Sequence, residues 1–381
     1  MATAAPPAIH FQGYTFRLAI DDDDAALRAL LRDVEIPGPI AITMEREPSF
    51  FVSSQVEGPL HQTIVCCDDT SGNIVGLGSR SVRRAYVNGE EQALGYLSQL
   101  RAAPNHRGRG ILLKQAFRLL HELHRDGAAP LYMTTIVADS PLAQRVLTRD
   151  WEGKPTYELR APLGTYVLAL GRCRAPPRPS GTRVRTATSE DVVAIVDCLA
   201  RNHRRTNFAP VWSAADIRGG PQTPGLTPRD FVLSEEDGRV TGCVALWDQS
   251  AFKQNVVRGY TKALAAIRPV VNFGAGLLGQ PRLPAVGAPL RSVFFSHLAV
   301  DEDDPKRGRL LLLAAAAEAR VRGHRLGFLG LAHSHPLSSV VERAFRPRRY
   351  DSLAYLVYWP EDAPLARAFD NRPIHVEMAA L

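Results

Sequence analysis

The chain has 381 residues, 45% apolar and 22% charged, with 29 Gly and 28 Pro. That length suits two domains, each able to bury its own core, and the composition excludes wholesale disorder and collagen-like repetition. The net charge is +7, and 41 of the 46 basic residues are arginine. This balance fits a phosphate-bearing cofactor as well as nucleic acid. Aromatic residues are only 7% and interleave with no basic stripe, so a nucleic-acid partner is not expected. No run reaches the ~18 uninterrupted apolar residues of a membrane span. The nearest, residues 263–279, contains Arg268, Pro269 and Asn272. Residues 1–10 hold no basic stretch followed by an apolar one, so a cytoplasmic protein without a membrane partner is expected. Cys66, Cys67, Cys173, Cys198 and Cys243 lack metal-ligand spacing and read as small buried hydrophobes.

In chain order, residues 15–20 read as a strand. Asp21 to Asp24 then open a helix over 25–34, where carboxylates suit the free N–H groups and the helix dipole better than a metal. Strands follow at 63–67 and 74–83, the hairpin signal Asn88-Gly89, and a strand over 93–103. Leu113, Ala116, Phe117, Leu120 and Leu123 predict a helix over 111–125 with one buried face, stopped by Gly127. A strand at 131–137, a short helix at 142–147 and a closing strand at 166–170 complete a first unit, residues 1–171. Residues 172–182 read as a proline-rich linker.

The pattern then restarts over 183–360, leaving 361–381 as a tail. A strand at 184–187 and a helix at 192–200 are followed by strands at 231–233, 240–247 and 293–300. Arg307-Gly308-Arg309 parallels Arg107-Gly108-Arg109, and His335-Pro336-Leu337-Ser338 parallels Ser140-Pro141-Leu142-Ala143, in the same order. Such matches argue for a duplicated unit. An insertion near 252–289 carries a helix over 254–267 and a Gly/Pro-rich loop.

Residues 104–110 read Pro-Asn-His-Arg-Gly-Arg-Gly between a strand and a helix. The first turn of a helix offers unpaired N–H groups and the positive end of its dipole. Gly108 and Gly110 admit a ligand to the backbone, and Arg107 and Arg109 add charge suited to a pyrophosphate. Neither a P-loop nor G-x-G-x-x-G is present. The segment resembles the acyl-CoA loop of the GNAT superfamily of N-acyltransferases, Arg/Gln-x-x-Gly-x-Gly/Ala, with Leu112 at the final Gly/Ala position. The resemblance extends over residues 14–171 and implies an α/β fold of the α+β type with a mixed sheet.

It also implies a CoA thioester as co-substrate, acetyl-CoA or a near relative, and no metal. The pantetheine arm would lie along Leu100, Arg101 and Ala102, with the phosphates on the Arg107–Gly110 loop and Leu112. Ser140 stands where the family's later motif has Asn. The acceptor, a small-molecule or protein amine, would face Tyr96 and Ser98. A proton acceptor is required, and Glu45, Glu47, Glu90 and Glu91 are the candidates. The family's tyrosine acid is replaced by Leu147, so either another group such as Tyr157 does this work or the thiolate leaves without a dedicated acid. The second unit carries Asp301-Glu302-Asp303-Asp304 before Arg307, and these carboxylates predict poor CoA binding. His121 and His124 read as helix-surface residues, and His333 and His335 as loop packing. The function expected is transfer of a short acyl group to a primary amine. The alternative is a CoA-binding sensor or scaffold.

Overall fold

The computed structural model describes residues 7–36, 38–108, 110–149, 151–171, 173–174, 181–277 and 282–381. Arg109 and most of the proline-rich segment lie outside the described residues.

The first half of the chain supplies strands β1 (Ile9–Phe11), β2 (Tyr14–Leu18), β3 (Ile40–Glu45), β4 (Leu60–Asp68), β5 (Ile74–Val87), β6 (Glu90–Ala102), β7 (Tyr132–Val137) and β8 (Thr156–Ala169). Its helices are α1 (Asp24–Asp33), α2 (Phe50–Ser54), α3 (Gly110–His124) and α4 (Pro141–Thr148). The second half supplies β9 (Thr182–Thr186), β10 (Phe231–Glu236), β11 (Arg239–Trp247), β12 (Gln254–Tyr260), β13 (Ser292–Val300), β14 (Leu326–Ala332) and β15 (Arg348–Tyr358). Its helices are α5 (Val192–His203), α6 (Ala214–Ile217), α7 (Lys262–Leu277), α8 (Pro305–Val321), α9 (Pro336–Phe345) and α10 (Ala363–Arg367).

Thirteen strands form one mixed sheet in the order β1-β2-β4-β5-β6-β7-β15-β8-β14-β13-β11-β10-β9. Only the β6/β7 and β13/β14 pairs are parallel. At the centre the halves interleave: β15 pairs with both β7 and β8, while β8 pairs with β15 and β14. Outward from that junction the element types repeat on either side. β3 and β12 form a separate antiparallel pair that ties the insertion to the first half.

Alternation along each strand divides apolar side chains between two layers. In the first half, Phe16, Ile64 and Cys66 pack beneath α3, whereas Val65 and Leu77 pack against Leu27 and Leu31 of α1. Cys67 accordingly points to the α1 side, opposite Cys66. The heptad-like run Phe117, Leu120 and Leu123 seats α3 on the sheet, each side chain adding about 1.5–3 kcal/mol on burial. At α1, the Asp23 carboxylate accepts from the Ile20 N–H at 2.8 Å, and Asp24 accepts from the Phe50 N–H at 2.8 Å. Among the described residues no group of His, Cys, Asp and Glu is arranged to hold a metal.

Several elements differ from their sequence-based expectation. The closing strand of the first half is β8, 14 residues long, because it must reach across both β15 and β14. Residues 254–260 are a strand where a helix was expected, paired with β3, and the helix begins only at Lys262. Residues 361–381 are no loose tail: Ala366, Phe369, Ile374 and Val376 are buried against Leu94, Tyr96 and Leu131 of the first half. His121 and His124 also depart from the surface reading. Both rings stack on Trp359, at 5.2 and 4.7 Å between centroids, and His124 is buried.

Candidate functional site

β6 and β7 touch at only two positions, Gly95 opposite Tyr132 and Tyr96 opposite Met133. The contact depends on Gly95, since a Cβ there would meet the Tyr132 ring at 1.9 Å. Beyond Tyr96 the strands part, held at the fork by the Thr134 hydroxyl donating to the Leu97 carbonyl at 2.7 Å. A bulge at Gln99, whose φ is 56°, turns the strand away. The bulge takes in Leu100; past it Arg101 and Ala102 pair with β5 alone, and among the described residues no strand covers the other edge of Leu100, Arg101 and Ala102. The opened edge leads into the loop before α3. There Gly108 has φ 77°, and neither Gly108 nor Gly110 has any atom within 4 Å of a would-be Cβ. Arg107 is exposed, and its Nε donates to the Ala102 carbonyl at 3.3 Å. Leu112 packs partly buried into the core under α3, clear of the helix opening.

The second half repeats the fork and closes it. β13 and β14 pair over three positions, and His297, with φ 52°, makes the matching bulge. Here the edge is occupied. The His297 N–H donates to Glu377 at 2.7 Å, and the Leu298 carbonyl lies 3.3 Å from His203 Nε2. Met378 fills the space over Gly330, with Cγ 1.9 Å from a would-be Cβ. The Arg-Gly-Arg parallel also changes meaning. α8 starts at Pro305, so Gly308 lies inside the helix, where a Cβ would meet Leu337 at 2.3 Å. Asp304 caps the helix, accepting from the N–H groups of Lys306 and Arg307 at 3.0 and 2.8 Å. Arg307 pairs with Glu236, and Asp301 with Arg201. A carboxylate of the chain thus sits on the first backbone donors of α8.

Tyr96 and Ser98, predicted to share a face, both adjoin Glu57, a carboxylate absent from the sequence-based candidates. Ser98 Oγ donates to Glu57 at 2.7 Å, and Ser81 Oγ donates at 3.1 Å. Arg46 pairs with the other oxygen, both side chains being buried. Because the Ser81 proton is committed to Glu57, His61 Nδ1, 2.8 Å away, must be the donor to Ser81. His61 Nε2 then accepts from Thr63, at 3.0 Å, and the ring is neutral. Burial pulls the His61 pKa down to about 4 against the pull of Glu57. For Glu57, burial is the largest influence and favours the acid, but Arg46 and the polar groups around the carboxylate together outweigh it and bring the pKa down to about 2. The Tyr96 phenol is pushed up, by burial first and Glu57 second, so it is no base at neutral pH.

The four expected carboxylates are engaged or remote. Glu45 pairs with Arg258, Glu47 with Arg28 and Arg32, and Glu91 with Arg84, while Glu90 is exposed at the start of β6. The carboxylate that does join Tyr96 and Glu57 comes from the second half. Glu377 lines the same narrow cavity, with Arg83, Phe208 and Leu381. Burial pushes its pKa up to about 7, against hydrogen bonds from the His297 and Ala379 N–H groups. Lys253 stands near Arg46 and Glu57 and donates to the Leu381 carbonyl. Burial first, then Arg46, lowers its pKa to about 7. Neither Glu57 nor Glu377 lies in a motif; only the fold brings them together.

At the far end of the fork, Ser140 precedes α4, but its hydroxyl makes no capping bond. Leu147 is buried in the core beneath α3, and Tyr157 packs there against Phe117 and Tyr355. Burial raises the Tyr157 phenol.

No protein-family model and no curated protein sequence matches the chain. Solved structures do match, and they show the fold: the α/β fold of a GCN5-related N-acetyltransferase and of N-myristoyltransferase, spread over nearly the whole chain. N-myristoyltransferase of Saccharomyces cerevisiae with bound myristoyl-CoA superposes with a TM-score of 0.62 at 11% identity, over 93% of this chain and 85% of that one. A GCN5-related N-acetyltransferase from Sphaerobacter thermophilus gives 0.55 at 13% identity, over 97% and 98%. The glucosamine N-acetyltransferase region of a fungal multi-domain β-N-acetylglucosaminidase gives 0.60 at 14% identity, over 94% of this chain and 39% of that one. At these identities the likeness is one of fold.

Proposed function

We propose that the protein is an acyl-CoA-dependent N-acyltransferase that moves an acetyl or other short acyl group directly to a primary amine. The observation that carries this is the contrast between the two forks. The first is open along Leu100, Arg101 and Ala102 among the described residues and ends at a helix start with free space over Gly108 and Gly110. Its counterpart is filled by Met378 and capped by Asp304. An exposed backbone edge suits the amides of pantetheine, and the helix start with Arg107 suits its phosphates.

The amine would sit beside Tyr96 and Ser98, and the cavity of about 20 Å3 that Glu377 lines with Tyr96 and Glu57 has room for a water to link it to the carboxylate. Attack on the thioester carbonyl forms the new C–N bond and breaks C–S, and the amine's proton must leave. Glu57, with its low pKa, is a poor acceptor. Glu377, poised near neutrality, is matched to the task, directly or through water. Its pKa predicts a rate that rises with pH through about 7. The test is a pH–rate profile of acetyl-CoA-dependent thiol release with an amine panel. Glu377→Gln should abolish the limb near neutrality and lower kcat. Turnover on no amine despite tight CoA binding would favour the sensor reading, which the absence of an acid at Leu147 supports.

A further inference from the structure

Helix α7 is turned inside out. The polar side chains of its middle face the protein: Asn272 exchanges hydrogen bonds with the Leu283 backbone at 2.7 and 3.0 Å, and Arg268 lies over the Tyr260 ring. Most of its large apolar side chains face outward. Ile267 is 53% exposed, Val270 74%, Phe273 72% and Leu277 74%. Spacings of three and four residues put these on one continuous stripe. A stripe of this kind on a helix that packs polar side inward needs an apolar environment to cover it.

Charge decides which one. Between Asp248 and Asp301 the chain has no acidic residue but six basic ones: Lys253, Arg258, Lys262, Arg268, Arg282 and Arg291. Behind the inward face of α7, Arg282, Arg291 and Arg325 line a cavity of about 580 Å3 with Pro284 and Leu290. None of these three arginines has a carboxylate partner among the described residues. A second copy of the chain would bring an equally basic segment against this one, which repulsion disfavours. A bilayer with anionic headgroups offers both requirements at the right depths, acyl chains to the outward stripe and phosphates to the arginines behind it.

We infer that the insertion is a membrane-surface anchor: α7 lies in the interface of an anionic phospholipid bilayer, with Arg282, Arg291 and Arg325 at phosphate level. Among the described residues no helix is long and apolar enough to cross a membrane, and an interfacial helix has no need to be. The absence of a spanning run, which led to the expectation of no membrane partner, does not bear on this mode.

The test is co-sedimentation of the full chain with phosphatidylcholine vesicles, with and without phosphatidylglycerol, at low and high salt. Binding to the anionic vesicles is expected, weakening by about tenfold or more on neutral vesicles or in high salt. The double variants Val270→Glu with Phe273→Glu, and Arg282→Ala with Arg325→Ala, should each lose a similar factor while keeping the wild-type circular dichroism. No binding to anionic vesicles overturns the inference, as does binding that survives the first double variant. Self-association in solution that this variant abolishes, without vesicle binding, would assign the stripe to a second copy instead. Acyl transfer in solution does not enter these readouts, so the anchor and the proposed activity stand or fall separately.

Discussion

Replacing Gly110 by aspartate should separate the fold from the binding of CoA, because the two respond with opposite sign. The position tolerates the side chain: no atom lies within 4 Å of the added Cβ, and the backbone is outside the left-handed region. A carboxylate in the first turn of α3 opposes the positive end of the dipole and should stabilise the protein by about 0.3–1 kcal/mol. Asp304 shows what such a group does at the equivalent helix, where it takes up the N–H groups of Lys306 and Arg307. At α3 it would withdraw the same kind of donors from a phosphate, each charge-assisted bond being worth about 1.5–3 kcal/mol. It would also repel the phosphate by about 1–4 kcal/mol at 4 Å, with the lower figure apt for so exposed a loop. Together these predict a loss of about 2–4 kcal/mol, roughly 30- to 1,000-fold in Kd. Isothermal titration with acetyl-CoA measures the loss, and a urea melt measures the stability. A Kd within twofold of wild type in a protein that melts normally would refute the placement of phosphate at this loop.

The same titration should give one CoA site per chain in the wild type and none in the Gly110→Asp variant; a second site would contradict the closed reading of the β13/β14 fork. Arg107→Ala should weaken CoA binding by about tenfold, with a shallower salt dependence, because it removes one phosphate-directed charge while leaving the backbone donors. Glu57→Gln leaves Arg46 buried without its counter-charge and should cost about 3–5 kcal/mol in a urea titration at pH 7. Acid should weaken the fold in two stages. The His61 pKa falls from 6.5 to about 4 and the Glu57 pKa from 4.5 to about 2 in the folded protein. Both are depressed, so their stabilisation is complete above the ordinary values and is lost as pH falls, first through the His61 window and then through that of Glu57. Each contributes on the order of 3 kcal/mol. A urea midpoint unchanged between pH 7 and pH 3 would contradict this.

The elements that could be read from the chain are those specified locally. α3 shows one apolar face at helical spacing, and the Asn88-Gly89 turn joins β5 to β6 as its sequence demands. The fork could be placed because a glycine-rich loop follows a strand. What local patterns cannot specify is which strand lies beside which. β15 reads as the end of the second half, yet its neighbours are β7 and β8. Residues 361–381 carry no periodicity and look like a tail, but they are buried by a surface the first half provides. Tyr96 and Ser98 were legible because alternation within one strand fixes their face. Glu57 follows α2 in a short turn, and Glu377 lies about 280 residues beyond Tyr96. Their meeting is set by tertiary packing alone.

The interleaving also decides how the two halves can be tested. A fragment comprising residues 182–381 would lack β8, leaving β14 and β15 without the strand between them and removing Tyr166 and Leu168, which belong to its core. Failure of such a fragment to bind CoA would report misfolding as readily as a closed cleft, so point variants in the full chain carry the decisive comparison. The dependence runs both ways. The first half lacks β15 without the second, and its cavity draws Phe208 and Glu377 from beyond the junction. The second fork, filled by Met378 and followed by the Asp304-capped helix, holds Glu377 through the His297 N–H. The closure of the second site is then part of how the first is built: the His297 N–H released at the β13 bulge is the group that fixes the carboxylate proposed to accept the amine's proton.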